Sequence, residues 1–391
     1  MLVAEKLTDS PYVEKVAHEL KIKEKFLLER IRIFKENGYN RETLFKIDTG
    51  DCGLALWRHR LVEEADAILL GWINQGLLSL HGIKKILTSG KPVVWTMHDY
   101  WCMTGICHIP YTCTRYEKNC GNCPLLGKKG GKDDLSHKIW VKKEEIYKEV
   151  PSGKTAFVAV SNRVAEKAGE SSLLKNANLK VIHNPFKAYG TVQTERFIKK
   201  PDDEIRLLLG AARIDDPVKG FPILLRALEL LRERHPETAA RMKMITFGYI
   251  KDPGLFERMA VDHSHLGLFR GEETLKNLYE SNDIVISASH YETLGSTLME
   301  AQAYGCIPVS FDSGGQTDII EHGITGFLAH KTENDEESAK NLAGEIYRAA
   351  IETEKNTYPE FVKRMKESVK QKFSEETVAD AYLSLIKELQ D

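Results

Sequence analysis

A chain of 391 residues exceeds one ordinary core, and domains of ~100 to 200 residues make two the natural division. Hydrophobic residues at 42% and charged residues at 29% exclude a disordered or fibrous protein. A formal net charge of -2 argues against a surface built to wrap nucleic acid, and no run reaches the ~18 apolar residues of a membrane-spanning helix. The first 30 residues lack a signal-peptide core, so a cytoplasmic protein is expected.

Short apolar runs alternate with segments of helical period, the pattern of β-α units around parallel sheets. The first notable segment, residues 21–35 (KIKEKFLLERIRIFK), has an apolar side and a cationic side. Such a helix suits an anionic membrane surface carrying a lipid-linked acceptor, which implies peripheral contact at the inner face of the cell membrane; packing of the apolar side on a sheet is the ordinary alternative. Strands are expected at 67–72 (AILLGW), 93–97 (VVWTM), 156–160 (AFVAV) and 181–183, with helices between them. His98 directly follows the second of these strands, a position that by itself more often holds a structural histidine.

Five of seven cysteines crowd into residues 102–123. In a long chain without a secretion signal, reduced thiols or a metal site are favoured over a disulfide framework. The spacing Cys107-x5-Cys113-x6-Cys120-x2-Cys123 ends in a compact turn suited to tetrahedral zinc, with His108 a substitute ligand. Structural zinc, disulfides and free thiols all stay open. A closed four-thiolate site would hold a loop and leave no position for catalytic water. Cys52, Cys102 and Cys306 read as ordinary buried residues.

Residues 186–203 are polar and lack an apolar period, so the domain boundary is placed there, giving domains 1–186 and 187–370 and a C-terminal helix over 371–391 whose packing, back on the first domain or on the second, stays open. Further strands are expected at 205–210, 244–248, 284–287 and 307–311. Between 219 and 235, apolar residues at 221, 224, 225, 228 and 231 share one helix face. Residues 359–391 also read as helical.

The segment 287–300 (SASHYETLGSTLME) runs from a strand through a glycine-containing loop into a helix starting near Gly295. Backbone N–H groups at such a helix end face an anion, as phosphate sites require. Glu292 before the helix suits a sugar hydroxyl, and Glu300 one turn in suits a ribose. Alone, two glutamates at this spacing are usually surface charge. Upstream, however, Arg213 ends a buried strand and Lys219 opens a helix, both at the carboxyl edge of a parallel sheet, where ligands bind. The bland reading of that pair is a salt bridge at a strand end.

Gly210-Ala-Ala-Arg213 with Lys219-Gly220, Glu292 to Glu300, and the run 313–328 (SGGQTDIIEHGITGFL) together resemble the donor half of a retaining GT-B glycosyltransferase of the glycogen synthase-like family 4, over most of residues 155–330. The resemblance implies an α/β fold with two Rossmann-like domains facing across a cleft and a C-terminal helix. It implies that Arg213 and Lys219 neutralise the donor diphosphate, that Glu292 and Glu300 bind sugar and ribose, and that the backbone of Leu294, Gly295, Ser296 and Thr297 meets phosphate. The first half, through Trp95-Thr-Met-His-Asp-Tyr-Trp101, the cysteine cluster and Asp134-Leu-Ser-His-Lys-Ile-Trp140, resembles a subgroup that builds bacterial surface polysaccharides of the colanic acid or capsule type. That makes it an acceptor domain with His98 as the active-site histidine beside the reacting sugar. The family's opening strand and Gly-rich loop have no counterpart before Gly38, so the first β-α unit is expected to be missing.

The expected reaction moves a sugar from a UDP- or GDP-sugar to a glycan or lipid-linked acceptor with retention. Arg213, Lys219 and the amides near Gly295 stabilise the leaving diphosphate without a catalytic metal, while His98 and Glu292 orient the sugar. The rivals are a noncatalytic nucleotide-sugar-binding partner lacking a complete acceptor site, a sugar-nucleotide epimerase and, weakest, a zinc-dependent nucleic-acid binder.

Overall fold

Val93–Met97 is buried at all five positions, as a strand covered on both faces must be. In the computed structural model, which describes residues 1–188, 198–268 and 271–391, it is an inner strand of the first of two compact units. The first unit comprises Met1–Ile182 with Ala381–Asp391, and the second His183–Asp380.

The first unit opens with β1 (Leu2–Val3) and β2 (Glu14–Lys15), which form a separate parallel pair, followed by α1 (Glu19–Glu36) and the short α2 (Arg60–Glu63). A parallel sheet follows, with β3 (Ile68–Leu70), α3 (Leu80–Leu87), β4 (Val93–Met97), α4 (Leu135–Lys148), β5 (Thr155–Ala159), α5 (Asn162–Glu170) and β6 (Leu179–Val181). The strand order is β3-β4-β5-β6, so β3 is an edge strand and no β-α unit precedes it in this sheet among the described residues. Helix starts follow local chemistry: Ser79, Asp134 and Ser161 each accept a first-turn N–H of α3, α4 and α5. The expected strand at 181–183 lies two residues earlier, because pairing with β5 aligns Phe157 with Leu179 and Ala159 with Val181.

The second unit runs β7 (Ile205–Arg213), α6 (Phe221–Arg234), α7 (Pro236–Ala240), β8 (Met242–Tyr249), β9 (Asp262–His265), α8 (Glu272–Glu280), β10 (Ile284–Ser287), α9 (Ser296–Tyr304), β11 (Ile307–Phe311), α10 (Gln316–Ile319), β12 (Phe327–Ala329), α11 (Asp335–Glu352) and α12 (Tyr358–Phe373). A final helix, α13 (Glu375–Gln390), follows a break at Ser374, whose extended backbone (ψ 149°) ends α12. All six strands pair in parallel in the order β12-β11-β10-β7-β8-β9. The chain winds outward from β7 through β8 and β9, then returns to lay β10 on the opposite side of β7. That reversal is a topological switch point, and helices leaving β7 and β10 on opposite sides open a crevice at their carboxyl ends. The core is dominated by β7, α6, α11 and α12, including Leu224, Leu225, Leu342, Ile346, Phe361 and Met365, all essentially buried.

Candidate functional site

The crevice between the ends of β7 and β10 is a real cavity of ≈270 Å³, bordered by Gly210, Ala211, Lys219, Ser287, Ser289, Glu292, Gly295, Ser296 and Thr297. Its floor is the edge of two buried strands, so its polar groups come from the loops that follow them. After β7 the chain turns through Gly220, whose φ of 63° is left-handed and where a Cβ would stand 2.0 Å from the Ala288 carbonyl oxygen. Only glycine fits there, and this close approach brings the Lys219 turn against the end of β10. His290 N–H donates to the Val218 carbonyl (2.8 Å), fixing the two loops together.

Lys219 Nζ lies 2.7 Å from Glu292 Oε1, both side chains partly exposed to the cavity. The loop bearing Glu292 rests on Gly314-Gly315: Gly315 N–H donates to the Glu292 carbonyl (3.0 Å), and a Cβ on Gly315 would come within 2.2 Å of the Thr293 carbonyl oxygen. Gly295 then starts α9 with φ 100° and no side-chain cap, leaving the first-turn N–H groups of Ser296 and Thr297 on the cavity wall. A cation, a carboxylate and uncapped helical N–H groups around one cavity suit a ligand with anionic oxygens and hydroxyls.

Three expected residues stand elsewhere. Arg213 is absent from the cavity wall, its guanidinium exposed and held by Asp215 (Nε to Oδ1, 2.8 Å), which also accepts the N–H groups of Lys251 and Asp252. Glu300 accepts a hydrogen bond from the Tyr279 hydroxyl, and burial pushes its carboxyl pKa up while that bond opposes the shift. Leu294 is buried and serves packing. Ser287 and Ser289, whose hydroxyls are hydrogen-bonded to each other (3.3 Å), are wall residues that the sequence did not single out; their position at the end of a buried strand was the available signal.

In the first unit, His98 and Asp99 follow β4 at the carboxyl edge of the sheet. His98 is exposed, and desolvation lowers its pKa against the opposing charge of Asp99. Asp99 Oδ2 accepts from Trp72 Nε1 (3.1 Å) and meets His108 Nδ1 (2.7 Å), while its Oδ1 accepts from Trp101 N–H (2.8 Å). The carboxylate thereby holds two aromatic side chains beside His98, a cluster in which neither Trp72 nor Asp99 had been picked out. Beneath it Lys143 is fully buried, donating to the carbonyls of Trp101 (2.6 Å) and Thr104 (3.0 Å) with its ammonium 3.4 Å from the Trp101 ring centroid; burial lowers its pKa to about 8.

Cys107, Cys113, Cys120 and Cys123 border one cavity of ≈20 Å³. The left-handed residues Tyr111, Cys120 and Asn122 fold the loop so that the thiols approach, and Gly105 N–H donates to Cys120 Sγ (3.2 Å). Among the described residues no group of three or more His, Cys, Asp or Glu side chains stands at ligand spacing for a metal ion. No disulfide forms either, and burial pushes the thiols up, Cys120 to about 12 and Cys123 to about 11. Cys102 and Cys306 are buried as expected, whereas Cys52 is partly exposed.

The family described as "Glycosyl transferases group 1" matches residues 191–347. An uncharacterised glycosyltransferase of Methanocaldococcus jannaschii is 32% identical over 148 residues, 37% of this chain and 36% of the relative. An uncharacterised 41.2 kDa protein in the cps region of Klebsiella pneumoniae is 25% identical over 204 residues, 50% of this chain and 54% of the relative. The colanic acid biosynthesis glycosyl transferase WcaC of Escherichia coli, itself a provisional assignment, is 28% identical over 117 residues, 29% of this chain and 28% of the relative. The chain thus spans about a third to a half of the length of these curated relatives. Among solved structures, HepE of Anabaena, determined in complex with UDP, aligns with a TM-score of 0.55 at 17% identity over 84% of this chain and 80% of its own. TarM of S. aureus aligns with a TM-score of 0.54 at 15% identity over 85% of this chain and 58% of its own. Residues 191–347, within the second unit, are thus similar to group 1 glycosyl transferases, and the chain has the α/β fold, with parallel sheets, of HepE and TarM.

Proposed function

We propose that this chain transfers a sugar, with retention of anomeric configuration, from a UDP- or GDP-sugar to a glycan or lipid-linked acceptor in surface-polysaccharide synthesis. The observation that carries the reading is the cavity at the β7/β10 switch point, where Lys219, Glu292 and the uncapped N–H groups of α9 meet. The diphosphate takes Lys219 from Glu292 and lies against the Ser296 and Thr297 amides. Glu292, released, accepts hydrogen bonds from hydroxyls of the donor sugar. Arg213 and Glu300 complete the set by turning from Asp215 and Tyr279 to phosphate and ribose. Charge that builds on the leaving diphosphate is stabilised by this cation and these fixed dipoles, without a catalytic metal. His98 orients the reacting sugar. The cps-region and colanic acid relatives support the surface-polysaccharide assignment, and the UDP bound by HepE supports a nucleotide-sugar donor.

The test is thermal shift with UDP, GDP and their sugars, followed by transfer to a lipid-linked or glycan acceptor and NMR of the product anomer. Stabilisation lost in Lys219→Ala, with acceptor-dependent transfer in the parent, supports the proposal. Failure of every nucleotide to bind would overturn it.

A further inference from the structure

Helix α1 is exposed on the wrong face for an ordinary surface helix. Its inner side is set by Phe26, Glu29, Arg30 and Ile33: Arg30 donates to the carbonyls of Leu44 (2.8 Å) and Ile47 (3.3 Å) and to Asp48 Oδ2 (3.2 Å), and Glu29 accepts the Gly50 N–H (3.1 Å). At 100° per residue the opposite side falls on Leu20, Glu24, Leu27, Leu28, Ile31 and Lys35. A helix packed on a core normally turns its polar residues outward. Here the polar anchors point inward and the outer face exposes Leu20 (72%), Leu27 (55%), Leu28 (47%) and Ile31 (54%).

Cations rim this stripe. Lys21 and Lys35 make no ion pair among the described residues, and Lys129 Nζ donates to the Lys35 carbonyl, adding a charge at the helix end. Arg32 and Lys142 share a single carboxylate, Asp51, each at 3.2 Å. Glu24 is paired with Lys25 (3.2 Å) and Glu19 with Lys23, while Glu36 at the helix end is an exposed carboxylate, so that over Glu19–Glu36 six cations face four carboxylates.

We infer that the outer face of α1 is a lipid-contact surface that lies in the interface of an anionic bilayer, its leucine and isoleucine side chains among the acyl chains and its lysines among the phosphates. Both halves of the observation are needed: apolar exposure gives partitioning, and the cationic rim selects negatively charged headgroups. A second copy of the chain is disfavoured as occupant, because a two-fold contact over this stripe brings Lys21, Arg32 and Lys35 against like charges. The inference stands independently of the transferase reading.

The test uses the full chain and sedimentation with phosphatidylcholine vesicles, with and without phosphatidylglycerol. The parent is expected to co-sediment with the anionic vesicles and to be released by salt. Leu27→Ser/Ile31→Ser and Lys21→Glu/Lys35→Glu should each lower the bound fraction about tenfold, with circular dichroism and Tm unchanged because all four side chains are exposed. Absence of binding by the parent, or binding by either variant as strong as the parent's, overturns the inference. So does a dimer in sedimentation velocity that Leu27→Ser/Ile31→Ser dissociates, which would assign the face to a second copy. Neither result alters nucleotide binding, which reports separately on the cavity of the second unit.

Discussion

Lys219 and Glu292 are 73 residues apart in the chain and 2.7 Å apart in space, and their pairing makes opposite predictions for the two residues. Lys219→Ala removes the cation proposed to meet the diphosphate and is expected to lower kcat/KM by about 10²-fold, within the usual range for one charge-stabilising donor. Glu292→Gln leaves Lys219 unneutralised, so nucleoside diphosphate should bind a few-fold (~1 kcal/mol) tighter while kcat falls; titration calorimetry with initial rates separates the effects. A second residue-scale prediction concerns Glu29, fully buried beside Asp48. Burial, then its hydrogen bond and repulsion with Asp48, raises the Glu29 pKa, whereas Asp48 is held low by partners that outweigh its own desolvation. The folded chain therefore keeps the Glu29 proton where the unfolded chain has lost it, and this contribution to stability declines as pH rises above the ordinary value of 4.5. Glu29→Gln mimics the protonated acid, so its urea midpoint should fall less than the parent's between about pH 5 and 8. An equal decline in both would show that the acid is ionised in the fold.

At the scale of elements, Asp134 joins a helix to a loop. It accepts the N–H groups of Ser136 (2.9 Å) and His137 (3.2 Å) as the cap of α4, and those of Cys123 (2.7 Å) and Gly131 (3.1 Å) from the cysteine loop. Burial opposes its ionisation, but these bonds prevail and hold its carboxyl below the usual range. The stabilisation is thus present above the unfolded-state pKa and is lost as pH falls through the depressed folded value. Asp134→Ala should cost about 1–2 kcal/mol from the cap alone, and more from the loop, read as a lower urea midpoint with faster alkylation of Cys120 and Cys123. Gly220→Ala should be worse than its size suggests, because both the positive φ and the contact with the Ala288 carbonyl forbid a methyl group.

For the whole molecule, the two units separate two kinds of stabilisation. A nucleotide at 100 times its Kd adds ~2.7 kcal/mol to the unit that binds it, so calorimetry with UDP should raise a transition belonging to His183–Asp380. Residues 381–391 belong to the first unit, where Leu385 and Leu389 are buried, Tyr382 hydroxyl meets Thr96 Oγ1 (2.8 Å), and Lys154 Nζ donates to the Leu389 (3.1 Å) and Gln390 (2.9 Å) carbonyls. Leu385→Ser/Leu389→Ser should therefore lower the transition of the first unit and leave the UDP shift intact. Where burial is complete the fold was legible in the chain: the apolar runs at Val93–Met97, Ile284–Ser287 and Ile307–Phe311 are short, rich in β-branched residues and bounded by turn residues, as strands covered on both sides are. β9, Asp-His-Ser-His, has no apolar period and is a strand only because β8 offers it a partner edge, so its own residues give no sign of it. In the same way, a lysine in the turn before a helix and a loop glutamate read as ligand residues from their local setting, but that they touch depends on β10 returning beside β7. Nor does helical period alone reveal that α1 turns Arg30 inward and Leu27 outward, since buried partners at Leu44, Ile47 and Asp48 decide it. Local composition and period fixed the buried strands, the amphipathic helices and which residues carry charge, because those properties are written within a few residues. Strand order, the cavity at the switch point and the exposed face of α1 arise from contacts between distant segments, and only the tertiary structure decided them.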